Sequence, residues 1–225
     1  GNLGKFDPIT ETFTEYDNPT WPNGARSMMW GIDYSPDGSV WFTDESYDSV
    51  WTFSTIDEKY TRIGYPAESD SLPQKLLVDG SKIIINDFTG NKLTLLDPNQ
   101  SGEEINYLSI PSPIDNSVTA GFAVDAKDNI WFTNWLYQQG GVLVKFNQNG
   151  YLDSVASSNE QFLPLLDHVE IYELPTTLLT PNGAAVSSDG TVWLADTTSS
   201  SFFNFNPITE KFIQYVTADP VLNTY

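Results

Sequence analysis

The feature that most constrains this chain is an internal repeat that runs along most of its length. Four segments share one template: a small residue, an apolar stretch, an Asp-Gly-like turn, and an aromatic or aliphatic run that ends in Asp or Asn. These segments are GIDYSPDGSVWFTD (31–44), KLLVDGSKIIIND (75–87), GFAVDAKDNIWFTN (121–134) and GAAVSSDGTVWLAD (183–196). Their equivalent anchors, Trp41, Ile84, Trp131 and Trp193, are 43, 47 and 62 residues apart. Repeats of this length are typical of propellers and other repeat architectures.

A second template follows each copy of the first. It consists of a short strand, a turn rich in Asn, Asp, Pro and Gly, and another strand, and the N-terminal KFDPITETFTEY matches NFNPITEKFIQY (204–215) closely. In the third unit, residues 142–146 are predicted to pair with residues 169–174 across an insertion, which accounts for the long spacing. Each complete unit therefore predicts four short strands, A to D, joined by turns.

The B strands (VWFT, IIIN, IWFT and VWLA) are continuous apolar runs without polar alternation. Such runs predict strands buried on both faces, as when sheets stack face to face. The sequence therefore predicts an all-β fold, a β-propeller of four-stranded blades with very little helix. A β-sandwich is the alternative, but it gives no reason for a 43-residue repeat.

The repeats divide residues 1–225 into a C–D half-blade and four full blades of one propeller domain. The predicted bounds are 1–20 for the half-blade and about 27–66, 73–111, 118–175 and 181–220 for the blades. Four and a half blades would leave sheet edges exposed, so we expect a six- or seven-bladed ring that is incomplete at both ends here.

The DG-x-V-W-F-T-D and F-(D/N)-P-x-T-E-x-F motifs resemble the repeat of the virginiamycin B lyase (streptogramin lyase) propellers. The resemblance covers residues 1–220 and implies the propeller fold. Locally, TPNGAAVSSDGTVWLAD (180–196) resembles gluconolactonase-like propellers. In that family the Asn before Gly binds a divalent cation, which implies Asn182 as a metal ligand here.

The predicted topology places a candidate site at the central mouth of the ring. Only Gln74 and Asn182, among the residues expected just before the A strands, can supply a side-chain oxygen to Ca²⁺ or Mg²⁺. Trp30 is the aromatic residue expected there. The B strands end at the same mouth in a predicted polar ring of Asp44, Asp87, Asn134 and Asp196. Alternatively, these side chains accept hydrogen bonds from nearby turn backbone.

The resemblance to the lyases implies a catalytic histidine near a bound magnesium ion. His168 is the chain's one histidine, and it lies just before strand D of the third unit, at the end opposite the predicted mouth. No catalytic residue of the family therefore transfers to a position in this sequence. Asn99, in Asn-Gln-Ser, is a glycosylation candidate if the protein is exported.

Composition excludes several classes of function. The chain has 10 Lys and Arg against 30 Asp and Glu, a net charge of −20, which disfavours nucleic acid and anionic membrane surfaces as partners. With no Cys, it has neither disulfides nor thiolate metal sites. No apolar run is long enough to predict a membrane-spanning segment.

Three functional hypotheses remain open. The first is a propeller without recognisable catalytic residues that acts as an extracellular, cell-surface or periplasmic binding module for a small molecule or a protein. The second is a lyase or lactonase in which Ca²⁺ or Mg²⁺ at Asn182 and the polar ring polarises a lactone or ester carbonyl. The third is a scaffold subunit of a surface assembly that uses blade edges or the insertion at 148–167.

Overall fold

The computed structural model describes residues 2–24, 26, 28–66, 70–80, 82–97, 107–158 and 165–217. Within these ranges the chain forms one two-stranded hairpin and four sheets of four strands each. In every four-stranded sheet the strands lie side by side in sequence order, as expected for a propeller blade. The predicted sequence of one half-blade and four full blades therefore matches the observed sheets.

The strands fall close to the positions predicted from the repeat. The half-blade is β1 (Leu3–Asp7) and β2 (Thr12–Tyr16). Blade 1 is β3 (Met29–Tyr34), β4 (Ser39–Asp44), β5 (Ser49–Ser54) and β6 (Lys59–Gly64). Blade 2 is β7 (Pro73–Asp79), β8 (Lys82–Asp87), β9 (Lys92–Leu96) and β10 (Tyr107–Pro111). Blade 3 is β11 (Val118–Val124), β12 (Asn129–Leu136), β13 (Gly140–Asn147) and β14 (Val169–Glu173). Blade 4 is β15 (Pro181–Val186), β16 (Val192–Asp196), β17 (Ser201–Asn206) and β18 (Lys211–Val216).

The Asp-Gly turns between strands A and B form as their composition predicts. Gly38 in blade 1 and Gly190 in blade 4 have φ angles of 93° and 83°, which glycine adopts without steric cost. Their amides donate to the carbonyls of Ser35 and Ser187, three residues earlier in each turn. These bonds close the turns and fix the register of the A and B strands.

The B strands supply much of the buried surface. Every residue of β12 from Asn129 to Trp135 is buried, and the side chains of Phe42 and Ile84 are at most 1% exposed. Strand β16 departs from this pattern, because Trp193 keeps 37% of its surface exposed. The D strands β6, β14 and β18 are mostly exposed, which explains their higher content of polar residues.

The insertion in blade 3 contains α1 (Gln148–Ser157), a ten-residue helix that the sequence pattern did not predict. Asn147 caps it by accepting a hydrogen bond from the Gly150 amide at 2.9 Å. On either side of the insertion, β13 and β14 pair from Val142–Glu173 to Phe146–Val169, as predicted. No helix in the described part of the chain is long and apolar enough to cross a membrane.

The chain divides into two compact units. The first comprises residues 1–85 and 94–108, and the second comprises residues 86–93 and 109–225. The core of the first unit is formed by Trp41, Val50, Tyr65, Leu76, Ile83, Ile85 and Leu96. The core of the second is formed by Trp131, Leu143, Leu174, Leu178, Val192, Leu194, Phe203 and Phe205. In both units, side chains of adjacent blades bury each other, as face-to-face packing of sheets requires.

Candidate functional site

The four residues of the predicted polar ring occupy equivalent places near the ends of the B strands. Three of them pair with a residue at the beginning of the A strand in their own blade. The pairs are Met29–Asp44, Thr119–Asn134 and Pro181–Asp196. All four side chains are buried: Asp44, Asp87 and Asn134 are 0% exposed and Asp196 is 5% exposed. Buried carboxylates need compensating hydrogen bonds, so their partners decide what these groups can do.

Asp196 is the most completely bonded of the four. Its Oδ1 accepts hydrogen bonds from the Thr180 amide, the Thr180 hydroxyl and the Thr198 amide, at 3.2, 2.9 and 2.9 Å. Its Oδ2 accepts from the Leu179 amide and the Ser199 hydroxyl, at 2.8 and 2.7 Å. Burial raises the pKa of Asp196, but these hydrogen bonds outweigh burial and hold the pKa below its usual value. Asp196 is therefore an ionised structural anchor for the loops on either side of blade 4.

Asp44 has the opposite electrostatic environment. Its Oδ1 accepts one hydrogen bond from the Ser46 amide at 3.1 Å, which caps a short 3₁₀ helix at Glu45–Tyr47. Its Oδ2 is buried and makes no well-formed hydrogen bond within the described residues, and the indole N–H of Trp51, which is also buried without one, lies close enough to favour the charged form. Burial raises the pKa of Asp44, and the backbone hydrogen bonds do not offset it.

The remaining two ring members also serve local structure. Asp87 Oδ1 accepts a hydrogen bond from the Gly90 amide at 2.9 Å, and the ammonium of Lys92 lies 3.9 Å from Oδ2. Asn134 donates to the Thr119 hydroxyl at 2.8 Å. The alternative of turn-bonded side chains thus describes the contacts seen for Asp44, Asp87 and Asp196.

The other candidate residues lie inside the A strands rather than just before them. Asn182 is half-buried in β15 and donates to the Thr197 hydroxyl at 3.0 Å. Thr197 in turn contacts Thr180, which bonds Asp196, so two predicted site residues are linked through threonines. Gln74, in β7, donates to Glu45 at 3.3 Å, next to Asp44 in sequence.

Trp30 and His168 differ in their surroundings. Trp30, in β3, is 55% exposed. His168 ends a short 3₁₀ helix at Leu165–His168, and its ring lies edge-on to Tyr151 of α1 with centroids 5.6 Å apart. This contact joins His168 to the insertion of blade 3. Asn99, the glycosylation candidate, lies outside the described residues.

Asp196 does not present a free oxygen to the hard cation that the resemblance implies. A calcium or magnesium site needs several converging oxygens that are free to bind. The two oxygens of Asp196 accept five protein hydrogen bonds between them, whereas Asn182 donates to Thr197 through its amide nitrogen, and its Oδ1 takes no part in that bond. Within the described ranges, no three His, Cys, Asp or Glu side chains come together as a metal site.

Two threonines in the B strands were missed by sequence reasoning. The Gly31 amide donates to the Thr43 hydroxyl, and the Gly121 amide donates to the Thr133 hydroxyl, each at 3.0 Å. Each hydroxyl then donates to a backbone oxygen of the next blade's A strand: Thr43 to Gln74, and Thr133 to Pro181. The recurring Thr before Asp or Asn, paired with Gly twelve residues earlier, was the available signal.

No family model matches this chain, and no curated protein matches it. Among solved structures, it is similar to a streptogramin B lyase with 20% identity and a TM-score of 0.65, over 84% of this chain and 55% of that one. It is similar to a virginiamycin B lyase from Staphylococcus aureus with 15% identity and a TM-score of 0.71, over 97% and 64%. It is also similar to a putative 6-phosphogluconolactonase from Bacteroides uniformis with 15% identity and a TM-score of 0.63, over 98% and 66%.

These similarities confirm the fold. The chain is an all-β propeller of four-stranded blades that resembles the lyase and lactonase propellers, as its repeats predict. It spans 55–66% of the length of these three structures. Function has to be argued from the site, because a propeller hosts many activities.

Proposed function

We propose that this chain is part of a lyase-like propeller that acts as a binding or scaffold module and does not catalyse lyase or lactonase chemistry. The observation that carries the proposal is the hydrogen bonding of Asp196. A catalytic or metal-binding carboxylate must present an oxygen to its ligand, whereas Asp196 is 5% exposed and accepts five protein hydrogen bonds.

The histidine supports the same proposal. General acid–base catalysis requires the imidazole to reach the reacting group within hydrogen-bond distance. His168 packs against Tyr151 of the blade 3 insertion. Asn182 and Asp196 instead contact the threonines Thr197 and Thr180. The position of His168 supports a structural role for its side chain in holding the insertion against β14.

We propose that the module works outside the cytoplasm, as an extracellular, cell-surface or periplasmic protein. Its net charge of −20 favours solubility in an ion-rich environment. A protein partner could bind at the blade 3 insertion, where α1 keeps Leu152 42% exposed beside polar residues. Fractionation of cells carrying the tagged full-length protein tests the compartment, and cytoplasmic recovery would contradict it.

Turnover assays separate this proposal from the enzyme alternative. The purified protein is incubated with a streptogramin B and, separately, with a lactone, each with Mg²⁺, with Ca²⁺ and with a chelator. We expect product formation no faster than in the protein-free control. Metal-dependent turnover that the Asn182→Ala variant abolishes would overturn the proposal and support a metal-dependent lyase or lactonase.

The assay needs a control for variants that simply unfold. Asn182 and Thr197 share one hydrogen bond, so Thr197→Val removes the contact and leaves the Asn182 amide available. In the enzyme alternative, Thr197→Val keeps activity while Asn182→Ala loses it. Equal loss in both variants, with reduced thermal stability, would trace the loss to the fold of blade 4.

A further inference from the structure

One aromatic contact recurs at two junctions between neighbouring sheets. Tyr172 of blade 3 lies against Phe205 of blade 4, with ring centroids 4.7 Å apart. Tyr16 of the half-blade lies against Phe53 of blade 1, with ring centroids 4.9 Å apart. In both cases the tyrosine belongs to strand D of one sheet and the phenylalanine to strand C of the next. The chain therefore uses a Tyr–Phe contact as a repeated element of the packing between sheets.

A second ring stands beside the phenylalanine at each junction. Phe205 pairs across the strands with Phe212, and the two ring centroids are 4.6 Å apart. Phe53 pairs in the same way with Tyr60, and these ring centroids are 4.7 Å apart. Both phenylalanines are buried. The tyrosine of one sheet thus meets a pair of aromatic rings from the next sheet.

Blade 4 presents the tyrosine half of this contact on its surface. Tyr215 pairs with Phe202 in blade 4, the same place that Tyr172 occupies in blade 3. Beside Tyr172 stands the indole of Trp131, with ring centroids 6.0 Å apart. Beside Tyr215 stands the indole of Trp193, with ring centroids 5.3 Å apart. Blade 4 therefore repeats the surface on which blade 3 packs its successor.

The two surfaces differ in how far they are covered. Trp131 is only 1% exposed, and Phe205 of the next blade lies 6.0 Å from its ring. Trp193 is 37% exposed and Tyr215 is 46% exposed. We call this exposed surface the blade 4 face, and it consists of Trp193, Phe202, Ile213 and Tyr215.

The half-blade presents the other half of the contact. Phe6 pairs with Phe13 across β1 and β2. In blade 4 these two places are taken by Phe205 and Phe212, within the matching sequences KFDPITETFTEY and NFNPITEKFIQY. Whereas Phe205 is buried, Phe6 and Phe13 are 59% and 67% exposed. We call this exposed pair of rings the hairpin face.

The two hairpins also share one backbone conformation. Asp7 Oδ1 accepts hydrogen bonds from the amides two and three residues later, at 2.8 and 3.3 Å. Asn206 Oδ1 accepts the equivalent two hydrogen bonds at 2.9 and 3.1 Å. Glu11 and Glu210, at the same place in each turn, have φ angles of 53° and 54°. The same hairpin therefore carries the pair of aromatic rings in both places.

Blade 1 holds the half-blade in position from the side opposite to the hairpin face. The Tyr60 hydroxyl donates to the Tyr16 carbonyl at 2.7 Å and accepts a hydrogen bond from the Leu3 amide at 3.1 Å. Together with the contact between Tyr16 and Phe53, these bonds fix the hairpin to blade 1. The hairpin face is thus ordered before it meets a partner, which lowers the entropy lost on binding.

We propose that the hairpin face of one copy of this chain docks on the blade 4 face of a second copy. In this arrangement Phe6 lies against Tyr215 of the second copy, and Phe13 stands beside Phe6. The packing repeats the junction of blades 3 and 4, so the same contact already exists within the chain. Exposed apolar surface is typical of protein interaction sites. The inference goes beyond the proposed function and does not depend on it.

The two faces differ from each other, so the contact is head-to-tail. Each copy binds one neighbour through its hairpin face and another through its blade 4 face, which produces open chains or closed rings and not a two-fold dimer. Each copy also carries a net charge of −20. Copies therefore repel each other at long range, and salt that screens these charges should strengthen an apolar contact.

Sedimentation velocity of the purified chain, over a series of concentrations and at low and high salt, tests for this association. We expect dimers and larger oligomers whose share increases with concentration and with salt. A protein that stays monomeric under all these conditions would overturn the proposal, and that is the result expected if other blades of a longer chain covered both faces. Association that weakens with salt would also overturn it, because ion pairs would then hold the copies together.

One substitution on each face locates the contact. We expect Phe6→Asp and Tyr215→Asp each to weaken association at least about tenfold, because a charge replaces a ring that the contact buries. Ile9→Asp and Ile208→Asp are the matched controls, since they add the same charge at the exposed tips of the same two hairpins. Both controls should associate as the wild type does. Equal weakening by variant and control would attribute the effect to net charge and would overturn the proposal.

A mixture of the two face variants gives the sharpest test. Phe6→Asp keeps an intact blade 4 face and Tyr215→Asp keeps an intact hairpin face, so we expect the mixture to form a dimer of one copy of each and nothing larger. Circular dichroism checks that both variants fold, and Phe6→Ser and Tyr215→Ser replace them if either does not. The absence of a dimer in a mixture of folded variants would overturn the proposal.

The two proposals fail separately. Turnover of a streptogramin B or a lactone contradicts the proposed function and leaves the association unaffected. Failure of the mixed variants to form a dimer contradicts only the association.

Discussion

The hydroxyl of Thr133 lies 2.8 Å from the backbone oxygen of Pro181, and so a B strand of blade 3 is bonded to the A strand of blade 4. The same hydroxyl accepts a hydrogen bond from the Gly121 amide at 3.0 Å. Thr43 makes the corresponding pair of bonds to Gly31 and Gln74 in blade 1. In blade 2, Asn86 takes this position and donates to the Thr119 carbonyl at 2.8 Å. One polar side chain before the terminal Asp or Asn thus joins each of these blades to its successor.

Removing this hydroxyl should destabilise the second unit. Thr133→Val keeps the volume of the side chain but removes the Thr133 hydroxyl, which is the hydrogen-bond partner of the Gly121 amide and the Pro181 carbonyl. We expect the free energy of unfolding to fall by about 1–3 kcal/mol, the usual cost of unsatisfied buried polar groups. Urea unfolding followed by tryptophan fluorescence measures the change. Thr209→Val, at an exposed turn position, is the control and should change stability little.

The A strands of blades 3 and 4, β11 and β15, approach each other so closely at Gly121 that this position should not tolerate a side chain. A Cβ at this position would lie 2.7 Å from the carbonyl carbon of Gly183 and 2.9 Å from the Ala184 amide nitrogen. Because these atoms are backbone, the strands must separate, and we expect Gly121→Ala to cost about 1–3 kcal/mol. Gly64→Ala is the control, since a Cβ there meets nothing within 4 Å. Thermal unfolding of both variants tests the prediction, and equal melting temperatures would contradict it.

The repeat was sufficient to predict the blades because turns and buried strands have strong local signals. The Asp-Gly turn at Gly38 and the continuous apolar run of β4 are both readable from composition and spacing. Helix α1 was missed because its sequence, QNGYLDSVAS, has only weak amphipathic periodicity and contains Gly150. Its start is set instead by the Asn147 cap and by Tyr151, which packs against Phe146.

The candidate site was harder to predict than the fold. Sequence reasoning placed Asp44 and Asp196 correctly at the ends of their B strands, but it could not give their hydrogen bonds. Asp196 acquires its partners from Leu179 and Thr180, some sixteen residues earlier in the chain. Long-range contacts decide such features, and a single sequence carries little information on them.

Asp196 should stabilise the protein in a pH-dependent manner. Its pKa is held below the usual value of 3.8 in the folded state, so its contribution is present at pH values above 3.8. As the pH falls through the lower folded-state pKa, that contribution is lost. Asp196→Asn should therefore destabilise the protein at pH 7, by about 1–3 kcal/mol through loss of charge-assisted bonds. The difference between wild type and variant in urea unfolding should narrow towards pH 3, and a constant difference would contradict the prediction.

Asp44 should behave in the opposite way. Burial raises its folded-state pKa above 3.8, so its favourable contribution is present below pH 3.8 and is lost as the pH rises through the folded-state pKa. At pH 7 the ionised side chain is buried and its Oδ2 makes no well-formed hydrogen bond in the part of the chain that the structure describes, so the nearby Trp51 indole does not offset the cost of burying the charge. Blade 3 has Asn134 at the equivalent position, where the amide donates to Thr119, and blade 1 has Met29 in place of Thr119. We expect the free energy of unfolding of Asp44→Asn, relative to wild type, to be more favourable at pH 7 than at pH 4, measured by urea unfolding at both values. A difference that stays constant between the two pH values, or that shifts the other way, would contradict the prediction.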